Sequence, residues 1–223
     1  MAVREINYNN SKSMDECRLI KVDNDISYIA PTSNPLSANV VVIQGRESEW
    51  IYDVGAHPDI PGLLETLNPD SRKVNIVLSH FHGDHIGNLF KIRYDEVYQG
   101  RLTYKHTNIG VIIESDTYFQ DGDISLHLFP LPSSHAKGCV ALEVNEKYCF
   151  LGDGVYAMEK GGSRMYNSGL LREQIKVLKS VKADNFMLSH KMSFGKPKDV
   201  VIMWLEEIYD RREKNEAYIK GMN

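Results

Sequence analysis

The segment LSHFHGDHIGN, residues 78–88, places His80, His82, Asp84 and His85 within six positions, directly after the apolar run VNIVL. A core has no use for four such groups together, because buried ionisable side chains are costly unless paired or bound to a metal. Imidazoles with carboxylates suit zinc or a similar first-row ion. Spacing adds geometry. His80 and His82 are two residues apart, so on extended backbone their rings point to one side and can share one ion. Asp84 and His85 lie just beyond and can face a neighbouring position. Gly83, between the pairs, is expected to allow a tight backbone path.

Partners for this cluster are expected where other strands end. His135 follows ISLHLFPLPSS, Asp153 follows KYCFL, and His190 follows NFML. Strand-end loops are where a rigid scaffold holds functional groups. Each residue alone has a plainer reading. A single HxH is weak, Asp153 in its GDG turn could bond its own backbone, and His190 could be a satisfied strand-end histidine. Five histidines and two aspartates recurring at strand ends favour the metal reading for the set. His57, His106 and His127 are left outside it. Of these, His57 is near enough to Asp53 to touch the site, whereas His127 lies within a strand and is expected to be structural or exposed.

The elements that must position these groups can be read from periodicity and turn signals. Residues 1–17 read as a loose lead-in. RLIKV, ISYIA, NVVVIQG, WIYDVG and VNIVL read as strands, with an antiparallel start. HPDIPGLLETLNPD reads as a short helix with Asp59 as N-cap and Pro61 in its first turn. VIIE, TYF, ISLHLFPL, CVALEV, KYCFLGD and NFMLSH continue the strands. LLREQIKVLKSVKAD is helical, with Leu171, Ile175, Leu178 and Val181 on one stripe. A final helix is expected over 197–220, with Trp204 and Tyr209 packed on the sheet. Strands and helices alternate in two matched halves, so residues 1–223 read as one α/β domain with helices outside its sheets. The Gly/Ser-rich stretch 154–169 reads as a mobile lid. Tyr156, Lys160, Tyr166 and Lys191 are the candidate substrate contacts around it.

Of the 223 residues, 42% are hydrophobic and 25% charged, and the net charge is −4. This balance provides no basic footprint for nucleic acid. No apolar run approaches the ~20 residues that span a bilayer, and the start MAVREINYNNSKSMDE is polar, without an apolar h-region, so no secretory signal is expected. Cys17, Cys139 and Cys149 are odd in number and widely spaced, as expected of reduced thiols in a cytoplasmic protein. Cys139 and Cys149 read as small core residues. A small-molecule substrate is the expected partner; oligomeric state leaves no mark in the sequence.

The chain resembles the metallo-β-lactamase superfamily, in its binuclear hydrolase branch. HFHGDH carries the HxHxDH motif, IYDVGA the early aspartate, SSHAKGCVAL the third histidine motif, FLGDGVY the bridging aspartate and MLSHK the last histidine. They stand in the family's order from about residue 18 to about residue 195. The resemblance implies an αββα sandwich of two mixed β-sheets flanked by helices, with metals at one edge. It assigns His80, His82 and His135 to a first ion, Asp84, His85 and His190 to a second, and Asp153 to a bridge. Asp53 would stand behind the ligands and orient them. Three positions depart from the pattern: Ser134 replaces glycine before His135, Cys139 replaces a small residue, and Lys191 replaces glycine after His190.

The implied activity is a metal-dependent hydrolase of a small ester-like substrate, a lactone, thioester or phosphoester. A hydroxide bridging two divalent ions would attack, zinc foremost, with manganese or iron as alternatives. Asp84 is the candidate proton carrier. The alternative is a mononuclear iron-dependent sulfur dioxygenase on the same ligands. The flavin-linked diiron pattern has glutamate at the position of His82. A secreted antibiotic-cleaving enzyme would carry an export signal, and an RNA-processing nuclease a basic clamp; neither is evident. Glyoxalase-type thioesterases bind glutathione with a longer C-terminal helical region than the final helix expected here, so a glutathione thioester is one option among several.

Overall fold

The computed structural model describes residues 16–70 and 72–221. The expected lead-in therefore lies, except for its last two residues, outside the described residues. In chain order the first half contains β1 (Leu19–Lys21), β2 (Ile26–Ile29), β3 (Thr32–Ser33), β4 (Leu36–Ser37), β5 (Val40–Gln44) and β6 (Ser48–Tyr52). It continues with α1 (Ile60–Leu67), β7 (Lys73–Leu78), α2 (Gly83–Ile86), β8 (Glu96–Gln99), α3 (Arg101–Thr107) and β9 (Val111–Ile112). The second half contains β10 (Thr117–Asp121), β11 (Ile124–Leu131), β12 (Cys139–Val144), β13 (Tyr148–Gly152), β14 (Met158–Lys160) and β15 (Ser163–Asn167). It ends with α4 (Ser168–Ser180), β16 (Asn185–Leu188), β17 (Gly195–Pro197), α5 (Lys198–Asp210) and β18 (Tyr218–Lys220).

Among the described residues the first sheet runs β1-β2-β5-β6-β7-β8-β9 and the second β10-β11-β12-β13-β16-β17. Both are mixed: β1 to β6 pair antiparallel and β6 to β9 parallel, while in the second sheet only β13 and β16 are parallel. Their strands are apolar on both faces because both faces are covered. Val41, Ile43 and Tyr52 meet Leu128, Leu142 and Phe150 between the sheets. Val40, Val42, Ile51 and Ile76 face outward onto Ile60 and Leu64 of α1. On the far side, Cys149, Leu151 and Phe186 face Leu171, Ile175 and Leu178 of α4 and Leu205 and Ile208 of α5. The layers are thus helix, sheet, sheet, helix. Trp204 and Tyr209 pack partly buried against that last layer, as expected. No described helix is long and apolar enough to cross a membrane.

The sheets are tied at both ends. At one end the Asp121 carboxylate accepts from the Glu47 and Ser48 amides at 2.7 and 3.0 Å and from the Trp50 indole at 3.3 Å. At the other, the Tyr52 hydroxyl donates to the Val140 carbonyl at 2.9 Å and the Val140 amide to Ser79 at 2.9 Å. Gly152 makes the second junction possible. A Cβ there would fall 2.6 Å from the Ser79 Cβ, and the backbone stands at φ +53°, so glycine lets the ends of β13 and β7 touch.

Two expectations are corrected. The final helix stops at Asp210 and not at residue 220, because RREKN supplies no apolar residue to continue the stripe that ends at Ile208. The chain returns as β18, which buries Ile219 and pairs with β15. The supposed lid is the ordered hairpin β14–β15, turning at Gly161 and Gly162 with φ +58° and +72°, and β18 completes a three-stranded sheet with it. Strand β8 and helices α2 and α3 were not foreseen.

Candidate metal centre

The ligand residues hang from strand ends of both sheets. His80 leaves β7 in extended backbone, and His82 is still extended at φ −67°, ψ 144°. The two imidazoles therefore stay on one side, with His80 Nε2 3.0 Å from His82 Nδ1. One helical turn follows, capped by His82, whose carbonyl accepts from the His85 and Ile86 amides. That turn swings Asp84 and His85 to a second position. Gly83 is not what makes it possible: a Cβ there would meet nothing within 4 Å. Gly87 is the crowded position, where a Cβ would fall 2.7 Å from the Gly83 carbonyl oxygen and 2.9 Å from the Ala56 Cβ.

His135, Asp153 and His190 come from the ends of β11, β13 and β16 in the second sheet. His135 Nε2 lies 3.1 Å from His82 Nδ1 and 3.3 Å from Asp153 Oδ2. His190 Nε2 lies 3.0 Å from Asp84 Oδ2, 3.3 Å from His85 Nε2 and 3.5 Å from Asp153 Oδ2. Two donor sets result, His80–His82–His135 and Asp84–His85–Asp153–His190, each with its ligand atoms within 4.8 Å of one another. One oxygen of Asp153 reaches histidines of both.

Three of the imidazoles are held in one tautomer. His85 Nδ1 donates to Asp53 Oδ2 at 2.7 Å, and His135 Nδ1 to the Ala157 carbonyl at 3.3 Å. The Ser79 hydroxyl gives its proton to Asp53 Oδ2 at 2.7 Å and accepts from His80 Nδ1 at 3.0 Å. Each bond leaves Nε2 as a lone pair aimed into a cluster. Ring nitrogens of both sets approach one another at 3.0–3.3 Å, the convergence a shared cation requires. A tetrahedron with bonds of about 2.0–2.1 Å has edges of about 3.3–3.4 Å, slightly longer than these spacings. The buried Asp153 Oδ1 has no hydrogen-bond partner among the described residues, an orphan that a metal would satisfy. The donor set fits two divalent ions.

The electrostatics point the same way. Burial, then neighbouring histidines, hold His80 well below the usual imidazole range and lower His82. Burial would raise the Asp84 carboxyl, but the hydrogen bond from His190 and the nearby His85 outweigh it and bring it down to about 2. Burial would likewise lower His85, but Asp53 and Asp153 prevail and raise it to about 10. Without an ion, His85 therefore holds a second proton at Nε2, facing Asp84 and Asp153, which a bound cation would replace.

Asp53 stands where expected, fully buried, at φ +58°. Tyr156 sits at the site, its hydroxyl donating to the Ser189 carbonyl at 2.7 Å, with the Lys191 ammonium 5.8 Å from its ring centroid. Tyr166 is not a substrate contact: it is 4% exposed, part of the outer core, and its hydroxyl donates to Val155. Lys160 lies 3.5 Å over the Tyr218 ring of the third sheet, held by β18, an element not foreseen. His57 accepts from the Asp59 amide and joins neither cluster. His106 stacks on Phe81 at 4.5 Å, and His127 pairs with Glu143. Sequence reading missed Ser79, Asn39 and Ala157. Asn39 Oδ1 accepts from the His190 amide at 2.9 Å and so supports its left-handed backbone, φ +59°. Only Ser79, beside the motif, had any local signal.

A model of the metallo-beta-lactamase superfamily matches residues 33–97, which hold Asp53 and all of HFHGDH. Rm3 metallo-beta-lactamase superposes with a TM-score of 0.69 at 13% identity, over 89% of this chain and 94% of that one. The fold is that of the metallo-β-lactamase superfamily. A metallo-beta-lactamase from Pontibacter korlensis has the same superfamily fold, with a TM-score of 0.62 at 16% identity over 86% and 98% of the two chains. So does the flavodiiron protein from Giardia intestinalis, with a TM-score of 0.64 at 13% identity; this chain spans 59% of its length. At such identities the likeness to these superfamily structures is one of fold. No curated protein matches the sequence.

Proposed function

We propose that the chain is a metal-dependent hydrolase of a small ester-like substrate: a lactone, thioester or phosphoester. The observation that carries the reading is the pair of donor sets joined through one Asp153 oxygen. His80, His82 and His135 would hold one ion and Asp84, His85 and His190 another, with Asp153 shared. Zinc suits these ligands first, manganese or iron next. When bound, two such ions supply Lewis acidity and an activated water.

The chain's own residues supply the rest. Asp84 is more open than Asp153, 19% against 8% exposed in the side chain, and lies beside His190. Its carboxylate is ionised and placed to take a proton at Oδ2 and pass it to the leaving group. Asp53 and Ser79 keep the imidazoles aimed. No thiol competes as nucleophile: burial pushes Cys139 up to about 12 and Cys149 well above its usual range. Free cysteines suit a reducing, cytoplasmic setting.

Metal analysis of protein purified without chelator or added metal tests this directly. Close to two zinc or manganese ions per chain, with turnover of one ester class, is expected. His82→Ala and Asp84→Ala should fold and lose hydrolysis; wild-type rates in either folded variant would sink the assignment. Close to one iron, with oxygen uptake on thiol or persulfide substrates, would replace it with the sulfur dioxygenase.

A further inference from the structure

Lys191 directly follows His190, is exposed, and forms no ion pair among the described residues. Lysines of the outer layer differ: Lys176 is paired with Glu173, Lys179 with Glu206 and Lys182 with Glu146. The ammonium of Lys191 rests instead over the Tyr156 ring. That ring is fixed at two points. The Tyr156 amide donates to the Asp153 carbonyl at 2.9 Å, and its hydroxyl to the Ser189 carbonyl at 2.7 Å. Tyr156 therefore spans the two strand ends that present Asp153 and His190. The chain's path into Lys191 is set by His190 itself, held at φ +59° by Asn39. An ammonium resting on an aromatic face keeps its N–H groups for another partner.

We propose that Lys191, seated on Tyr156 beside His190, docks an anionic group of the substrate, a carboxylate or a phosphate. The inference rests on the hydrolase reading above and narrows its substrate to an anionic ester-like molecule. His190, the residue before Lys191, lies 3.0 Å from Asp84 Oδ2, so a group docked on Lys191 would sit beside the proton carrier.

The test needs no turnover. Zinc-loaded full-length protein is titrated calorimetrically with three thiols that differ in their tails: 3-mercaptopropionamide, 3-mercaptopropionate and 2-mercaptoethyl phosphate. Wild type is expected to bind one of the anionic thiols about five- to tenfold more tightly than the amide. A preference for the carboxylate tail assigns a carboxylate, and one for the phosphate tail a phosphate. Lys191→Gln should reduce the preference to about twofold or less, and Lys191→Arg should keep part of it. Lys137→Gln, which removes a charge two residues beyond His135, should leave it intact. Equal affinities in wild type overturn the proposal, as does a preference that survives Lys191→Gln or falls equally in Lys137→Gln. Ester hydrolysis by the same preparation is scored separately: an intact preference without hydrolysis removes the hydrolase reading and leaves the anion site.

Discussion

Asp53 holds its carboxylate fully buried at φ +58°, and among the described residues its side chain bonds only toward the ligand cluster: the Ser79 amide at 2.8 Å, the Ser79 hydroxyl and His85 Nδ1. Aspartate and asparagine both tolerate the left-handed region, so Asp53→Asn keeps the backbone and changes one chemical feature. The amide oxygen can still accept from the Ser79 amide, but the amide nitrogen then meets the His85 N–H donor to donor. His85 loses its tether, and affinity at the Asp84–His85–His190 position is expected to fall about 10- to 100-fold. Chelator competition should show stoichiometry dropping from two towards one. Unchanged affinity for the second ion would refute the role assigned to Asp53.

Strand pairing on the outer face of the second sheet carries a separate electrostatic unit. Register places His127 of β11 opposite Glu143 of β12, with His127 Nδ1 3.1 Å from Glu143 and Nε2 3.1 Å from Asp116. Tyr118 of β10 stacks on the ring at 4.4 Å. Burial would lower His127, but the two carboxylates outweigh it, so its pKa rises above the ordinary 6.5. Burial would raise Glu143, but His127 and the Ala183 amide outweigh it, so its pKa falls below the ordinary 4.5. The signs follow from linkage. A raised histidine stabilises fully below its unfolded value and loses that contribution as pH rises through the folded one. A lowered carboxylate stabilises above its unfolded value and loses it as pH falls through the folded one. The gap in Tm between wild type and His127→Gln should be widest between the ordinary carboxylate and imidazole values, about pH 5–6, and close as pH rises through the raised value of His127. A gap that does not vary with pH would rule the unit out.

At the scale of the molecule, the ligands are divided between the sheets: His80, His82, Asp84 and His85 follow β7, whereas His135, Asp153 and His190 follow β11, β13 and β16. Bound ions would cross-link the two halves at the end where Tyr52, Ser79 and Gly152 already bring them together. Ions that bind only the folded state stabilise it by about 2.7 kcal/mol at a hundredfold excess over Kd. For a chain of this size that is a Tm shift of about 5–10 °C. Calorimetry should therefore show a fall of that order on chelation, with far-UV circular dichroism unchanged below the transition, because none of the three apolar clusters includes a ligand residue. Equal Tm with and without chelator would exclude a cross-linking centre.

The local order of residues determined the ligand pattern and the layers. HFHGDH needs only its own backbone, one extended stretch and one turn, to split its side chains between two positions. The apolar runs VVVI, VNIVL and CVALEV declare strands covered on both faces wherever they end up in the fold. What depended on contacts between distant segments could not be read. β15 and β18 pair across some fifty residues of sequence, so the strand after Asp210 had no local signal, and the Gly161-Gly162 pair at 158–167 suits a mobile loop as well as the hairpin it forms. Tyr166 became core and Lys160 was drawn onto Tyr218 for that reason. Gly152 and Gly87 were needed because of what approaches them, while Gly83, the glycine inside the motif, has open space around it. Asn39 supports His190 from 151 positions away. A hydrogen bond's donor and acceptor are written in the sequence, but which of them meet is decided only when the two sheets close on each other.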